Sequence, residues 1–544
     1  MRNGFSSRLI LLFAMSGLLL TVFSVGCEGS NNGATPGDSD ADTDADTDAD
    51  GDSDTDGDTD TGTGFDGPAI PPTCADAAES KTSVGCEFYT ADLDNYSESD
   101  SETYAIVVSN PHEDKDANVV LEHGVAGNIY TVTLTPGELH VIEATCESGC
   151  LLTPQQIEVQ GIGVGSGFRL SSDVPITAYQ WNPYGIELFS TDASLLIPTT
   201  TLDGTYIAAV WGDGAGDSSL TVVITEDNTT ITFTPSTDVP SLGGVGPISS
   251  GNQSVGYTLQ EYDVISLSPL NHNEDLTGTV IQADKPVAVF GGHTCANVPT
   301  SSYGTCDHVE EQILPLTAWG TSTVLARYAD RQDCSDNMVA WRIVAGADNM
   351  TVTFDPPAPA PLNGSYTFAQ QGEQITFGSD MDHFVEGILN DPPDPSEPEA
   401  SFFAYQMMTS CLYADCFDVE GDPMMLQSAP AGQFLDRYVF TTDDVFDFAY
   451  DHIIIVRWGN TDVTLDCLGL IPNSEFEPVG SSNWQTARIF IDNPENSTGC
   501  LDGAHVLTAT AQVGLSVVGS SHANSYGYLG GVGVRSINPA PVIE

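Results

Sequence analysis

The sequence predicts an all-β antiparallel protein made of tandem repeats. From about Cys74 onward, short runs rich in Val, Ile, Thr, Tyr and Phe alternate with Gly, Asn, Asp and Pro turns, for example at 104–108 and 219–225. This alternation is typical of antiparallel strands, and helical periodicity is hard to find beyond the N-terminal segment. A chain of 544 residues has room for three or four units of common domain size.

The charge balance is strongly acidic. The chain has 77 acidic and 13 basic residues, a formal net charge of −64. Phosphate binding needs a basic surface, so this charge excludes nucleic acid as a partner and also excludes direct electrostatic docking on anionic lipid. Divalent cations or basic partners fit the charge better.

Residues 1–27 are typical of an export signal. Two arginines precede an apolar run over 9–25, which is short for a membrane span. Cys27 follows Gly26, as in a bacterial lipoprotein cleavage site, although Ser24 departs from the usual Leu. We therefore expect Cys27 to be acylated, with plain secretion as the alternative. Both place the mature protein outside the cytoplasm, either lipid-anchored at the outer membrane or cell surface, or secreted.

Residues 28–67 are predicted to be a disordered acidic stalk. From Asp38 to Asp60 every second residue is Asp, which leaves no apolar surface to bury and keeps the segment extended by charge repulsion. Two stretches match the first half of a calcium loop, with carboxylates at positions 1, 3 and 5 and Gly at 6. The bidentate Glu at position 12 is missing, so these carboxylates are weak calcium candidates only: Asp46, Asp48, Asp50, Asp52, Asp54 and Asp56.

The 12 cysteines support an oxidising compartment. With Cys27 acylated, 11 remain, and local spacing suggests five disulfides while leaving Cys334 over. The expected pairs are Cys74–Cys86, Cys146–Cys150, Cys295–Cys306, Cys411–Cys416 and Cys467–Cys500.

Residues 68–544 contain about four repeats of ~112 residues. A similar strand recurs at 172–180, 283–291, 400–406 and 514–519. The first three copies are each followed by a variable loop and an apolar segment that ends at Pro198, Pro315 or Pro430. Seven strand-like runs per repeat suit one β-sandwich each. The alternative is a closed β-propeller, which needs eight strands for two blades. The N-terminal part also lacks the segment with which the C-terminus ends, as closure would require.

The loop after the second recurrent strand carries the most specific motif. It contains Gly-His-x-Cys, then Cys-x-His-x-x-Glu-Gln-x-x-Pro, then Trp-Gly, at His293, Cys295, Cys306, His308, Glu311, Gln312, Pro315 and Trp319. This pattern resembles the N-terminal domain of the IgGFc-binding protein family, extracellular proteins of animal mucus and of many bacterial surfaces. The resemblance covers about 84–540. It implies an extracellular recognition or adhesion module, without assigning ligand residues.

Four side chains of this motif also have the donor types of a tetrahedral zinc site. They are His293, Cys295, Cys306 and His308. In an oxidising compartment a Cys295–Cys306 disulfide is the simpler expectation. The histidines would then cap loop backbone or pack on Trp319, and Glu311 and Gln312 would bond to loop amides.

The sequence favours a non-enzymatic protein. It contains neither a His-Glu-x-x-His zinc-protease helix nor a Gly-x-Ser-x-Gly nucleophile turn. We expect a cell-surface-anchored protein that binds an extracellular protein or glycan through repeated loops. No cofactor is expected, and calcium in the stalk is the one candidate. A structural spacer is the alternative and a secreted hydrolase a remote one. Trp181, Tyr184 and Tyr303 are the candidate loop aromatics, whereas the core is expected to hold Trp211, Trp341, Trp458 and Trp484.

Overall fold

A computed structural model describes residues 70–538, except for gaps at 97–98, 100–101, 147–148, 154–160, 186–189, 332–333, 391–398, 417–420, 443–449 and 493–498. The expected signal segment with Cys27, and the stalk with its calcium candidates, lie outside the described residues. Within them, no helix has both the length and the apolar character needed to cross a bilayer.

Antiparallel strands make up the described body, which confirms the predicted all-β class. The two α-helices are short, α1 at Cys74–Ser80 and α2 at Cys411–Ala414. Helix α1 begins where the Thr73 hydroxyl accepts a hydrogen bond from the Asp76 N–H at 3.3 Å, as an N-cap residue does. It ends at Lys81, which has left-handed backbone angles.

The strands fall into four consecutive groups. The first contains β1 (Gly85–Thr90), β2 (Tyr104–Ser109), β3 (Ala117–His123), β4 (Gly127–Leu134), β5 (Leu139–Thr145), β6 (Gly161–Gly163), β7 (Phe168–Asn182) and β8 (Asp192–Leu195). The second contains β9 (Asp203–Ile207), β10 (Ser218–Ile224), β11 (Thr229–Thr234), β12 (Tyr257–Leu259), β13 (Val264–Leu267), β14 (Val280–Ala296) and β15 (Asp307–Gln312). Strand β6 pairs with β13 and so extends the second group.

The third group contains β16 (Ser322–Leu325), β17 (Val339–Ala345), β18 (Met350–Asp355), β19 (Ser365–Phe368), β20 (Gln374–Ser379), β21 (His383–Leu389), β22 (Phe402–Met407) and β23 (Met425–Gln427). The fourth contains β24 (Leu435–Thr441), β25 (Asp451–Trp458), β26 (Val463–Leu465), β27 (Gly469–Leu470), β28 (Glu477–Pro478), β29 (Trp484–Asp492), β30 (Ala504–Ser521) and β31 (Asn524–Leu529).

One long strand organises each group. The first half of β7 pairs with β1 and β3, and its second half pairs with β2 and β8. Strands β14 and β30 are shared between partners in the same way. In the third group the long strand is divided into β21 and β22. The same pairing order therefore recurs four times, while repetition of the sequence itself stays a prediction.

Burial follows the strand period. In β11 the side chains of Ile231 and Phe233 are buried, whereas those of Thr230 and Thr232 are partly exposed, as expected for a strand with one face on the core. Strand β10 is buried along its whole length and lies between β13 and β14. Buried apolar side chains from all four groups join into one continuous core.

The last strand of each group lies at the centre of the body. Strand β8 contacts β15 and β31, and β23 contacts the same two strands. These four strands, β8, β15, β23 and β31, are called the axial strands below, and their contacts form a closed cycle. Pro198, Pro315 and Pro430 each precede a short 3-10 turn that leads the chain from an axial strand into the next group.

The two ends of the described body pair with each other. The Ser83 N–H donates to the Val532 carbonyl at 2.8 Å, and the Val534 N–H donates to the Lys81 carbonyl at 2.7 Å. The choice between sandwich-like units and a closed propeller stays a prediction, because these bonds join the two ends without supplying the matching segment that the sequence argument asked for. A few backbone hydrogen bonds are enough to join them, and such bonds leave little trace in side-chain pattern.

Five disulfides join the described cysteines. Four are the expected pairs Cys74–Cys86, Cys146–Cys150, Cys295–Cys306 and Cys467–Cys500. The expected Cys411–Cys416 pair was wrong, because Cys416 is bonded to Cys334, 82 residues away, and Cys411 is a buried free thiol. Helix α2 occupies 411–414 and separates the two close cysteines, whereas backbone pairing brings Cys334 opposite Cys416.

Candidate functional site

The central part of the family-like motif lies on axial strand β15 and is buried. All six residues of β15 are buried, and five of them are polar or charged: Asp307, His308, Glu310, Glu311 and Gln312. Buried polar groups require hydrogen-bond partners. Most of those partners are supplied by the other axial strands.

Asp192, the first residue of β8, connects all four axial strands. Its Oδ2 accepts hydrogen bonds from the N–H groups of Glu310 at 3.1 Å and Met425 at 2.9 Å. Its Oδ1 accepts from the N–H groups of Ala193 at 2.9 Å and Gly527 at 3.2 Å. Burial raises the pKa of Asp192, and the bonds from these amides oppose that rise.

Glu311 and Gln312 join the strands in a similar way. Glu311 Oε1 accepts from the Gln427 N–H at 3.0 Å, and its Oε2 accepts from Gln427 Nε2 at 2.9 Å and from Ser194 Oγ at 3.2 Å. Gln312 Oε1 accepts from the Ile197 N–H at 2.7 Å. Both side chains thus bond to amides, as expected. The amides of Gln427 lie on axial strand β23, and the amide of Ile197 follows axial strand β8. Burial raises the pKa of Glu311 well above its usual value.

Glu310 and His308 lie on the face of β15 opposite to Glu311. Gln180 Nε2 donates to Glu310 Oε2 at 3.0 Å, and His308 Nε2 lies 3.3 Å from the same oxygen. Burial raises the pKa of Glu310 to about 8. This carboxyl is therefore mainly protonated at neutral pH, which avoids a buried charge.

The remaining motif residues are also structural. His293 Nδ1 accepts a hydrogen bond from the Cys295 N–H at 2.9 Å, and burial lowers the pKa of His293 to about 3. This neutral imidazole caps the loop that the Cys295–Cys306 disulfide closes, and the disulfide leaves no thiolate for the alternative zinc site. Trp319 is buried and donates from Nε1 to the Leu314 carbonyl at 3.0 Å.

Four loops that lead into the axial strands meet at one end of the cycle. These entry loops are the described residues of 183–191, 297–306, 408–424 and 522–523, without the gaps at 186–189 and 417–420. The Val298 N–H donates to Ser410 Oγ at 3.1 Å, the His308 N–H donates to Ser190 Oγ at 2.8 Å, and the Gly421 N–H donates to the Ser521 carbonyl at 2.8 Å. The variable loops of the sequence are therefore neighbours in the fold.

Two entry loops expose apolar side chains side by side. Tyr303 is 37% exposed and Leu412 is 61% exposed, and the ring centroids of Tyr303 and Tyr413 lie 4.8 Å apart at nearly a right angle. We call these three residues the loop patch. Asp336 and Asp415 lie beside it: Asp336 acts electrostatically on Tyr413, and Asp415 is the exposed residue that ends helix α2.

The other aromatic expectations were partly wrong. Trp181 and Tyr184 are buried, because Trp181 lies at the end of β7 and packs on Tyr526 of β31 with ring centroids 4.5 Å apart. Trp211 and Trp341 are core residues as expected, but Trp458 is 48% exposed. Only Tyr303 of the candidate loop aromatics therefore reaches the surface.

Several central residues escaped the sequence reasoning, namely Asp192, Asp307, Asp422 and Gln427. A partial signal was present in the chain, since Gln312 and Gln427 each lie three residues before the Pro, whereas Leu195 holds that place before Pro198. In a chain with 77 acidic residues that signal does not separate buried from exposed carboxylates.

One group of described side chains has metal-ligand donors in close range, Asp466, Cys467 and His505. Cys467 is bonded to Cys500 and is not a thiolate. His505 Nδ1 lies 3.1 Å from Asp466 Oδ1, and its Nε2 lies 2.8 Å from the Leu501 carbonyl oxygen. These contacts occupy both ring nitrogens of His505. We therefore interpret the group as a set of hydrogen bonds that stabilises the loop.

Comparison with known proteins gives the family. The human IgGFc-binding protein is 27% identical over 249 residues, which are 45% of this chain and 4% of that protein. This chain thus corresponds to a small part of its human relative. A solved BSP domain of a biofilm associated protein aligns at 8% identity with a TM-score of 0.14, over 82% of this chain and 95% of the other. The family model for IgGFc binding protein matches residues 192–519, more than half of the chain, and this protein therefore belongs to the IgGFc binding protein family.

Proposed function

We propose that this protein is a surface-anchored extracellular recognition protein that binds a protein ligand through its entry loops. The loop patch of Tyr303, Leu412 and Tyr413 is the observation that carries this proposal. The motif residues His308, Glu311 and Gln312 are buried on axial strand β15 and are not accessible to a macromolecule. Recognition therefore falls to the loops that this rigid centre holds together, a common division of labour in β proteins.

The chemistry of the loop patch favours a basic protein partner. Exposed aromatic and aliphatic side chains ringed by polar residues are typical of protein interaction sites. Here the neighbouring polar residues are Asp336 and Asp415, and the whole chain carries a formal charge of −64. Such a field attracts and orients a cationic surface.

The position of the body outside the cell is part of the same proposal. Acylated Cys27 would hold the chain on a membrane, and the extended stalk 28–67 would lift the body away from it. The five disulfides support an exported location, since such bonds persist in oxidising compartments.

The test is binding of the purified full chain to panels of extracellular proteins and glycans. The protein panel includes the Fc fragment of immunoglobulin G, because the human relative is named for it. We expect a saturable protein interaction that weakens as salt is raised. Leu412→Ser should weaken it at least ~10-fold, by analogy with apolar interface anchors. Leu470→Ser is the matched control, because Leu470 is also 61% exposed but lies on β27.

Other outcomes would contradict the proposal in distinct ways. Saturable binding to a glycan alone would replace the protein ligand by a carbohydrate. No binding to either panel would favour the structural spacer. Equal loss of binding in the Leu412 and Leu470 variants would remove the loop patch from the interaction.

A further inference from the structure

The side chain of Asp307 is fully buried at the base of the entry loops, and neither carboxylate oxygen has a hydrogen-bond partner. This is unusual even in this protein, since Asp192 and Glu311 accept bonds at both of their oxygens. A buried carboxylate without donors is strongly unfavourable. Asp307 therefore calls for a partner that supplies positive charge to both oxygens.

A second buried carboxyl group lies near enough to Asp307 to act on it electrostatically. Asp422 is 3% exposed and is the charged group that acts most strongly on Asp307. Its Oδ1 accepts from the Cys411 N–H at 2.9 Å, and the Thr305 hydroxyl is also bonded to this carboxyl. Two entry loops supply the Thr305 hydroxyl and the Asp422 carboxyl, and the start of β15 supplies the Asp307 carboxyl.

A single proton does not satisfy this arrangement. Protonated Asp307 would donate its one O–H to an acceptor such as the Asp422 carboxylate, and its other oxygen would still lack a donor. A cation contacts both oxygens and also offsets the repulsion from Asp422. Asp192 is not available as a further ligand, because its oxygens already accept four amide N–H groups.

The donor types select the class of cation. Carboxylate and hydroxyl oxygens are ligands for hard cations, and Ca²⁺ tolerates the irregular geometry of loop sites. A soft metal would need thiolate or imidazole, but burial raises the pKa of the nearby Cys411 thiol and so keeps it protonated. We propose that Asp307 and Asp422 bind a calcium ion that links entry loop 408–424 to the start of β15.

This site would also order the recognition surface. Thr305 lies two residues from Tyr303, and Asp422 lies in the same entry loop as Leu412 and Tyr413. The ion would therefore hold together the two loops that form the loop patch. This consequence rests on the proposed function, whereas calcium binding itself does not.

The experiment measures calcium-dependent melting of the full chain in EGTA and in millimolar CaCl₂. Calcium bound only to the folded body stabilises it by mass action, so we expect the wild type to melt about 3 °C higher with calcium. Calcium bound loosely to the stalk has the same affinity whether the body is folded or unfolded. It therefore does not change the melting temperature. Asp307→Asn should abolish the shift and melt no lower than the wild type in EGTA, because it removes a buried charge.

Asp422→Asn should abolish the shift as well, and Asp466→Asn is the control that keeps it. An unchanged wild-type melting temperature in the two media would overturn the proposal. So would a shift that persists in Asp307→Asn, or a wild-type stability that depends on pH but not on calcium, which would indicate a proton in place of the ion. The melting temperatures are measured without a protein ligand. A negative result for calcium binding is therefore distinguishable from a negative result for ligand binding at the loop patch.

Discussion

Replacing Asp192 tests whether one carboxylate holds the axial cycle together. In Asp192→Ala, the N–H groups of Glu310, Met425 and Gly527 lose their acceptor inside the protein. Each buried amide left unpaired costs about 1–3 kcal/mol, so three give about 3–9 kcal/mol. Removal of a buried carboxylate returns part of its desolvation cost. We therefore expect a net loss of about 4 kcal/mol in the free energy of unfolding.

Two further variants sharpen this test. Asp192→Asn keeps one acceptor oxygen but turns an NH₂ group toward two amide donors, so it should also destabilise the body, by about 2 kcal/mol or more. Asp284→Ala is the control, because Asp284 Oδ1 accepts one exposed bond, from the Thr230 N–H at 2.8 Å; its loss should cost less than about 1 kcal/mol.

The assay is equilibrium unfolding in guanidinium chloride, followed by tryptophan fluorescence and circular dichroism. We expect the Asp192→Ala midpoint to fall well below those of the wild type and the Asp284→Ala control. If Asp192→Ala and Asp284→Ala differ by less than about 1 kcal/mol, the three amide bonds from Glu310, Met425 and Gly527 do not contribute as the geometry indicates.

The remaining predictions concern the dependence of stability on pH and the pairing of the cysteines. Because burial raises the pKa of Glu310 to about 8, the folded state binds a proton that the unfolded chain releases near pH 4.5. Stability should therefore fall between about pH 4.5 and 8, and Glu310→Gln should flatten the melting temperature against pH; an unchanged slope would contradict the assignment. Alkylation of the denatured, unreduced body should label Cys411 among the described cysteines, as peptide mapping would show. Cys334→Ser should leave Cys416 free for Cys411, whereas labelling of Cys334 in the wild type would refute the observed pairing.

Local patterns predicted much of the fold because they depend on neighbours in the chain. The alternation in β11 follows from a strand with one buried face, and the prolines at 198, 315 and 430 fix backbone angles before the 3-10 turns. Disulfides that close short loops, such as Cys295–Cys306, were also within reach.

Local patterns did not predict contacts between residues that are far apart in the chain. Nothing near Cys416 indicates a partner 82 residues away, and Asp192 looks like one more acidic residue beside a strand. Its role depends on amides of Glu310, Met425 and Gly527, which lie between 118 and 335 residues along the chain. Such partners become neighbours only when the axial strands meet.

The sequence by itself determined the all-β class, the acidic character, the family and the short-range disulfides. The class, the charge and these disulfides follow from composition, period or spacing over a few tens of residues, and the family follows from the resemblance of one motif to a known pattern. The tertiary structure alone decided that the family motif is buried, that Trp181 is core and Tyr303 surface, and that the entry loops share one end. Burial and proximity are properties of the closed cycle of axial strands, and a carboxylate becomes a structural or metal-binding group only where that cycle removes it from water.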